Sequence, residues 1–189
     1  MQDLITDLDT IERLADERAE ENRKFRYFLK AILEWDDEKL DALVHALARE
    51  VTRAVDCTAC ANCCRVMGIG VIEADIQRLA RRFGLTPQEF EERYVAPAPY
   101  GEKVIKETPC PFLRGNLCSI YEDRPADCAE FPHLLKPDFR GRTLGVLSNA
   151  SFCPIVFNTL EQLKSHFRTG RMWFDDPDLE ENGFEDEAL

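Results

Sequence analysis

The segment Cys57-Thr-Ala-Cys60-Ala-Asn-Cys63-Cys64 places four of the chain's eight cysteines within eight residues. A gap of two residues between cysteines lets both sulfurs turn back onto one metal ion, as in zinc knuckles and in the loops that hold iron–sulfur clusters. We therefore predict that these thiols are metal ligands. Buried structural thiols and a dithiol redox switch are the alternatives.

The adjacent pair Cys63 and Cys64 fits a single ion less readily than a spaced pair does. Neighbouring side chains tend to point apart, most clearly in extended chain. The pair therefore fits two neighbouring metal centres, or one centre and a free thiol.

Four further cysteines follow downstream, separated by gaps of seven, nine and twenty-four residues. Eight thiols suffice for two four-ligand centres, so the count permits two centres without proving them. In bacterial ferredoxins, three cysteines at this close spacing serve one cluster. Here Cys57, Cys60 and Cys63 could do the same, with a fourth ligand from downstream. The predicted metal ligands are Cys57, Cys60, Cys63, Cys64, Cys110, Cys118, Cys128 and Cys153.

The predicted cofactor is an iron–sulfur cluster, with [4Fe–4S] as the favoured form, or Zn²⁺. A zinc ribbon requires two Cys-x-x-Cys knuckles, and the downstream gaps supply no second one. Zinc in an all-cysteine site remains open, because tetrahedral thiolate sites suit both zinc and iron–sulfur chemistry.

The charge of −12 is unevenly distributed along the 189 residues. Residues 1–56 carry 15 acids and 9 bases, 57–174 carry 13 acids and 15 bases, and 175–189 carry 8 acids and no bases. The cysteine-bearing region is thus slightly basic between acidic flanks. This balance argues against nucleic-acid binding by the whole chain.

The expected compartment is the cytoplasm. No apolar run approaches the ~20 residues of a membrane helix, and the first residues lack the basic start and apolar run of a signal peptide. In reducing cytosol, clustered cysteines are more often metal ligands or redox groups than disulfides.

The apolar pattern predicts a mostly α fold with short irregular β structure. It comprises an N-terminal helical hairpin at 1–55, a loop-rich cysteine-cluster domain at 56–174 and an acidic tail at 175–189. Helix is predicted over 3–33, where Arg18 and Asn22 interrupt the apolar stripe, and from a cap at Asp36 to about Val55. The hairpin either packs on the rest of the protein or serves as a surface for self-association or a protein partner.

Local signals place the remaining elements, beginning with a loop at 56–72 that carries the first four cysteines. Helices are predicted from Glu73 to a stop at Gly84, after a capping box at Thr86, in one turn at 124–128, and over 154–167. Short strands are predicted at 102–107 and 143–147, with a tight turn at 114–116.

Three further features are candidates for the site. Arg124 would offset thiolate charge and donate hydrogen bonds to sulfur, so we predict it as a cofactor-binding residue; a surface ion pair with Glu122 or Asp127 is the alternative. His133 could ligate metal. The segment Gly68-Ile-Gly70 lacks the third glycine and the preceding strand of a phosphate loop.

The cysteine motifs together resemble a known bacterial family, the CxxCxxCC family of zinc- or iron-chelating proteins. The resemblance covers residues 57–132 and extends more weakly to Cys153. It departs from the family at Ala129, where an arginine commonly follows the cysteine. The matching segments are Cys57-Thr-Ala-Cys60-Ala-Asn-Cys63-Cys64, Cys110-Pro-Phe-Leu and Cys118-Ser-Ile-Tyr121-Glu-Asp-Arg124-Pro125-Ala-Asp-Cys128-Ala-Glu-Phe131-Pro132.

Three hypotheses for function follow. The first is a metal or cluster protein that handles metal, transfers electrons or holds a structural centre. The second is a protein-modifying enzyme, since the family includes flagellin lysine-N-methylases, which look like iron–sulfur proteins. The chain shows no recognisable methyl-donor site. The third is an interaction module with purely structural zinc.

Overall fold

A computed structural model describes residues 4–32 and 35–168, which divide into two compact units. Unit 1 combines the residues up to Val55 with those from Leu134 onward, and unit 2 is the stretch Asp56–His133 between them. The predicted domain boundaries, at 1–55 and 56–174, stay a prediction. The predicted acidic tail at 175–189 lies outside the described residues.

Five helices build the described part of unit 1. Two of them precede the predicted cap at Asp36, one follows it, and two come after residue 134. They are α1 (Leu8–Glu17), α2 (Ala19–Ala31), α3 (Asp37–Ala54), α9 (Thr143–Ala150) and α10 (Pro154–Arg168).

The predicted first helix is divided in two. It begins after Asp7, whose side chain accepts a hydrogen bond from the Thr10 N–H at 2.9 Å. It breaks at Arg18, a position that interrupts the apolar stripe and adopts non-helical angles, φ −102° and ψ 13°. The predicted cap at Asp36 is confirmed, since its carboxylate accepts from the Lys39 N–H at 2.7 Å.

Helix α10 provides the surface on which α1, α3 and α9 pack. Leu40, Val44 and Val51 of α3 and Leu163 of α10 are fully buried in this unit. The segment before α9 is bound to α3 by polar contacts, because Asp41 accepts from the main-chain N–H groups of 138 and 139 at 2.9 Å each. These contacts explain why the C-terminal segment joins the N-terminal helices.

Unit 2 is built from shorter elements. Two antiparallel strand pairs accompany its helices, with Val95 opposite Ile105 in the first pair and Leu113 opposite Cys118 in the second. The mostly α fold with short β structure is confirmed. The elements are α4 (Cys57–Cys60), α5 (Cys63–Val66), α6 (Glu73–Phe83), α7 (Pro87–Tyr94), β1 (Val95–Pro97), β2 (Lys103–Ile105), β3 (Leu113–Arg114), β4 (Leu117–Cys118) and α8 (Ala126–Glu130).

The predicted boundaries of α6 and α7 are confirmed. Gly84 ends α6 in the left-handed conformation at φ 66°, which glycine adopts without a steric penalty. The Thr86 hydroxyl accepts from the Glu89 N–H at 3.2 Å, and the Glu89 carboxylate accepts from the Thr86 N–H at 2.7 Å. These reciprocal bonds satisfy main-chain N–H groups that would otherwise lack an acceptor at the helix N-terminus.

An apolar cluster forms the centre of unit 2. Ile76, Leu79 and Phe90 are fully buried in it, and the Phe83 ring stacks on Phe112 with centroids 5.5 Å apart. Cys110 belongs to this cluster. The apolar centre thus lies beside part of the predicted metal site.

Two predictions of local structure were wrong. Residues 143–147, predicted as a strand, lie in helix α9. A short apolar run does not distinguish strand from helix by periodicity, and Val146 and Ala150 are buried on a helical spacing of four. The cysteine segment, predicted as a loop, contains the single-turn helices α4 and α5.

No single helix within residues 4–32 and 35–168 is long and apolar enough to cross a membrane. Helices α9 and α10 meet the criteria only as a pair, which is bent by 117°.

A buried lysine connects α10 to α2. Lys164 is completely buried, and its ammonium donates to Asn22 Oδ1 at 2.9 Å. The same group pairs with Glu21 at 3.3 Å and with Glu161. Asn22, which interrupts the apolar stripe in the sequence, is therefore a buried partner of this cation.

Replacing Lys164 with methionine should lower the free energy of unfolding by about 3 kcal/mol, because removing one partner of a buried ion pair leaves the others uncompensated. The measurement is urea unfolding followed by circular dichroism. Lys103→Met is the control, since Lys103 pairs with Glu91 at the surface and should change stability far less. Equal losses in the two variants would contradict this view of Lys164.

Candidate metal centre

The first two cysteines lie one turn apart on α4. Asp56 caps this turn, accepting from the Thr58 N–H at 2.8 Å and from the Thr58 hydroxyl at 2.6 Å. Ala61 ends it in the left-handed region at φ 48°. Cys57 is exposed and Cys60 is half-buried. Partial desolvation by the neighbouring groups, followed by the charges of Cys60, Asp56 and Cys64, raises the pKa of Cys57.

The adjacent thiols of Cys63 and Cys64 do not diverge as extended chain would require. They lie in helix α5, and the Cys63 thiol donates a hydrogen bond to the Cys64 sulfur. This bond lowers the pKa of Cys64 to about 6, burial opposes the shift, and the Arg65 guanidinium assists it. Cys64 is therefore held in a setting that favours its thiolate.

The β3–β4 hairpin brings two downstream cysteines to this segment. The main-chain N–H of Cys110 donates to the carbonyl of Cys64 at 2.8 Å. Leu113 then pairs with Cys118 across the hairpin, and the Ser119 N–H donates to the Phe112 carbonyl at 2.9 Å. The predicted tight turn at 114–116 is confirmed, and it carries the chain back toward the first cysteines.

Helix α8 supplies Cys128. Asp127 accepts from the Gly70 N–H at 3.1 Å, and Asp75 accepts from the Ala126 N–H at 3.3 Å. Asp75 is buried and pairs with Arg78, so it fixes α8 against α6. The predicted helical turn in this region is confirmed, displaced by two residues at each end.

Four thiols pack against the apolar centre of unit 2, and we call them the inner thiols: Cys64, Cys110, Cys118 and Cys128. Burial raises the pKa of Cys128 to about 12, and the other three inner thiols and Asp127 add to the shift. Burial also raises the pKa of Cys110, with contributions from Cys64 and Cys118 and opposition from main-chain hydrogen bonds. The four sulfurs are therefore close enough to interact electrostatically.

Cys153 lies in unit 1, whereas the other seven cysteines lie in unit 2. It is buried just before α10, and its N–H donates to the Asn149 carbonyl at 3.0 Å. Its assignment as a metal ligand stays a prediction.

The donor set fits a thiophilic metal. All eight cysteines lie in the described residues and none forms a disulfide, and sulfur is the ligand that zinc sites and iron–sulfur clusters share. No group of three or more Cys, His, Asp or Glu side chains in residues 4–32 and 35–168 is arranged so that it could hold a metal ion. The fit to a metal therefore rests on the chemistry of the donors.

Arg124 contacts an aromatic ring. Its guanidinium carbon lies 3.8 Å from the centroid of the Tyr121 ring, and Nη1 donates to the Tyr121 carbonyl at 2.7 Å. The role of Arg124 in holding a cofactor stays a prediction.

Sequence reasoning missed Arg65, the cation that helps to lower the pKa of Cys64. Its position directly after Cys64 in the chain was the available signal. His133 lies at the end of unit 2 with Nε2 3.1 Å from the Asp127 carboxylate. This pairing occupies one of its two ring nitrogens.

The comparison with family models gives one match, over residues 56–154, to CxxCxxCC, described as "Putative zinc- or iron-chelating domain". No curated protein and no solved structure matches the chain. The matched range contains all eight cysteines and covers more than half of the chain. The protein therefore belongs to the CxxCxxCC family of zinc- or iron-chelating domains.

Proposed function

We propose that the protein holds an iron–sulfur cluster or zinc through the inner thiols Cys64, Cys110, Cys118 and Cys128. The observation that carries the proposal is the meeting of these thiols, from three separated segments, at one apolar centre. Four cysteine ligands complete a tetrahedral zinc site and equally a [4Fe–4S] site.

The surroundings support a centre at this position. Cys110 is only 8% exposed, and Phe112 and Ile120 of the same cluster are buried. An apolar surround limits solvent access to a bound metal and lowers the local dielectric constant, which tunes the properties of the centre. When bound, the metal would supply charge to stabilise the thiolates, and a cluster would add one-electron chemistry.

The residues of the chain would position and protect the centre. The hydrogen bond from Cys110 to Cys64 joins two ligand segments, and the contacts of Asp75 and Asp127 hold the third. The Arg65 cation stabilises the thiolate of Cys64. Each ligand that binds metal gives up its thiol proton to solvent.

Anaerobic purification, followed by metal and sulfide analysis, will decide between the two forms of the centre. A brown protein with iron and acid-labile sulfide in equal amounts would establish a cluster. A colourless protein with about one zinc per chain would establish a zinc site. Protein that contains neither metal and binds neither on reconstitution would contradict the proposal.

Replacing Cys110 with serine should weaken metal binding by more than about 100-fold, because loss of a residue that merely supports a ligand already weakens it by about 10- to 100-fold. Competition with a chromophoric chelator measures the affinity. Cys153→Ala is the matched control, since Cys153 is an equally buried cysteine in unit 1. Equal weakening in both variants would contradict the assignment to the inner thiols.

Removing the metal should destabilise unit 2 selectively, because the free energy of metal binding contributes directly to the stability of the folded site. Hydrogen exchange with and without chelator should show faster exchange in residues 57–66 and 110–128. The amides of α3 and α10 in unit 1 serve as the internal reference. Equal acceleration in both units, or none in unit 2, would contradict the proposal.

A further inference from the structure

We propose that Cys57 and Cys60 form an exposed entry site, which takes up a thiophilic metal ion and passes it through Cys64 to the inner thiols. We call Cys57 and Cys60 the outer pair. The inference rests on the proposed function, since it requires a metal centre at the inner thiols.

Exposure separates the outer pair from the inner thiols. Cys57 is exposed, Cys60 and Cys64 are half-buried, and Cys110 is buried. Neither member of the outer pair contributes to the apolar cluster against which the inner thiols pack. Solvent therefore reaches the outer pair more readily than it reaches Cys110.

Cys64 belongs to both groups of thiols. A thiolate at Cys64 raises the pKa of Cys57 in the outer pair and the pKa of Cys110 and Cys128 among the inner thiols. Its carbonyl also accepts the main-chain hydrogen bond from Cys110. The segment Cys64-Arg65 thus contacts both groups: the Arg65 guanidinium binds the Cys60 carbonyl of the outer pair, and the Cys64 carbonyl binds the N–H of Cys110.

Two polar side chains fix the turn that carries the outer pair. Arg65 Nη1 donates to the Cys60 carbonyl at 2.8 Å, and Asn116 Nδ2 donates to the Ala59 carbonyl at 2.8 Å. Arg65 also donates through Nη2 to Asn116 Oδ1 and to the Gly115 carbonyl. We call this arrangement the Arg65–Asn116 latch.

The latch supports a functional position for the turn. Residues 57–59 are exposed, and an exposed segment of this kind is ordinarily more mobile than the elements that it connects. Here the latch holds the turn to the hairpin that carries Cys118. Main-chain oxygens accept the bonds that hold the turn. The sulfurs of the outer pair therefore stay available to bind metal.

Transfer proceeds by ligand exchange. The hydrated metal ion loses water as bonds form to the sulfurs of Cys57 and Cys60, whose thiol protons pass to solvent. A bond from the metal to Cys64 then forms as the bond to Cys57 breaks; the Cys64 thiol proton passes to solvent, and Cys57 takes up a proton. One of the remaining inner thiols replaces Cys60 in the same way, and the other two displace the water still bound to the metal as their thiol protons pass to solvent. The oxidation state of the metal does not change.

The test compares the rate of loading with the affinity at equilibrium. Co²⁺ serves as the probe, because its thiolate complexes absorb visible light, and stopped-flow absorbance follows its binding to the metal-free chain. The double variant Cys57→Ser, Cys60→Ser should load about tenfold or more slowly, since it lacks the local capture that raises the effective concentration of metal. Its affinity at equilibrium should stay within about twofold of that of the unmodified chain.

The latch has its own matched pair of variants. Arg65→Met removes the contacts to the turn and should slow loading. Arg114→Met is the control, because Arg114 lies on the same hairpin and donates to the Pro111 and Leu113 carbonyls at 2.8 Å, within its own segment. Arg114→Met should load at the unmodified rate.

Two outcomes would overturn the inference while leaving the proposed function intact. One is an unchanged loading rate in the double variant. The other is a loss of its affinity at equilibrium as large as that of Cys110→Ser, which would make the outer pair permanent ligands. If the unmodified chain binds no Co²⁺ at equilibrium, the inference fails, whereas the proposed function is decided by the metal and sulfide analysis.

Discussion

One main-chain hydrogen bond, from the N–H of Cys110 to the carbonyl of Cys64, joins the two cysteine-bearing parts of unit 2. The residues that it connects are separated by the whole of α6, α7 and the β1–β2 pair. Because the bond uses backbone atoms, it leaves both sulfurs to interact with other groups. The β3–β4 hairpin and α8 then bring the remaining inner thiols to the same apolar centre. The geometry of the site thus depends on how the backbone is paired.

Burial gives chemically identical side chains different properties within unit 2. Cys128 holds its proton tightly because it is desolvated among other sulfurs, whereas Cys64 releases its proton readily because Cys63 and Arg65 stabilise the anion. Desolvation and hydrogen bonding act on these two thiols in opposite directions. A protonated Cys128 also relieves repulsion among the inner thiols when no metal is bound. The thiols can therefore coexist in the folded chain.

Features encoded within a few residues were predictable from the sequence, whereas contacts between distant residues were not. The capping box at Thr86, the stop at Gly84 and the cap at Asp36 all depend on neighbours within four positions. By contrast, Lys164 meets Asn22 across 142 residues, and Arg65 meets Asn116 across 51. The cysteine spacing identified the family, but it could not show which thiols pack against the same apolar cluster, because that depends on tertiary packing.

The discontinuity of unit 1 has a consequence for the order of events on the ribosome. Helix α3 packs on α10, and α10 is synthesised only after the whole of unit 2. Domains generally fold as units while the chain emerges from its N-terminus. All eight cysteines are therefore translated before α10, the main partner of α3, exists. The nascent chain therefore presents all of its thiols while unit 1 is still incomplete.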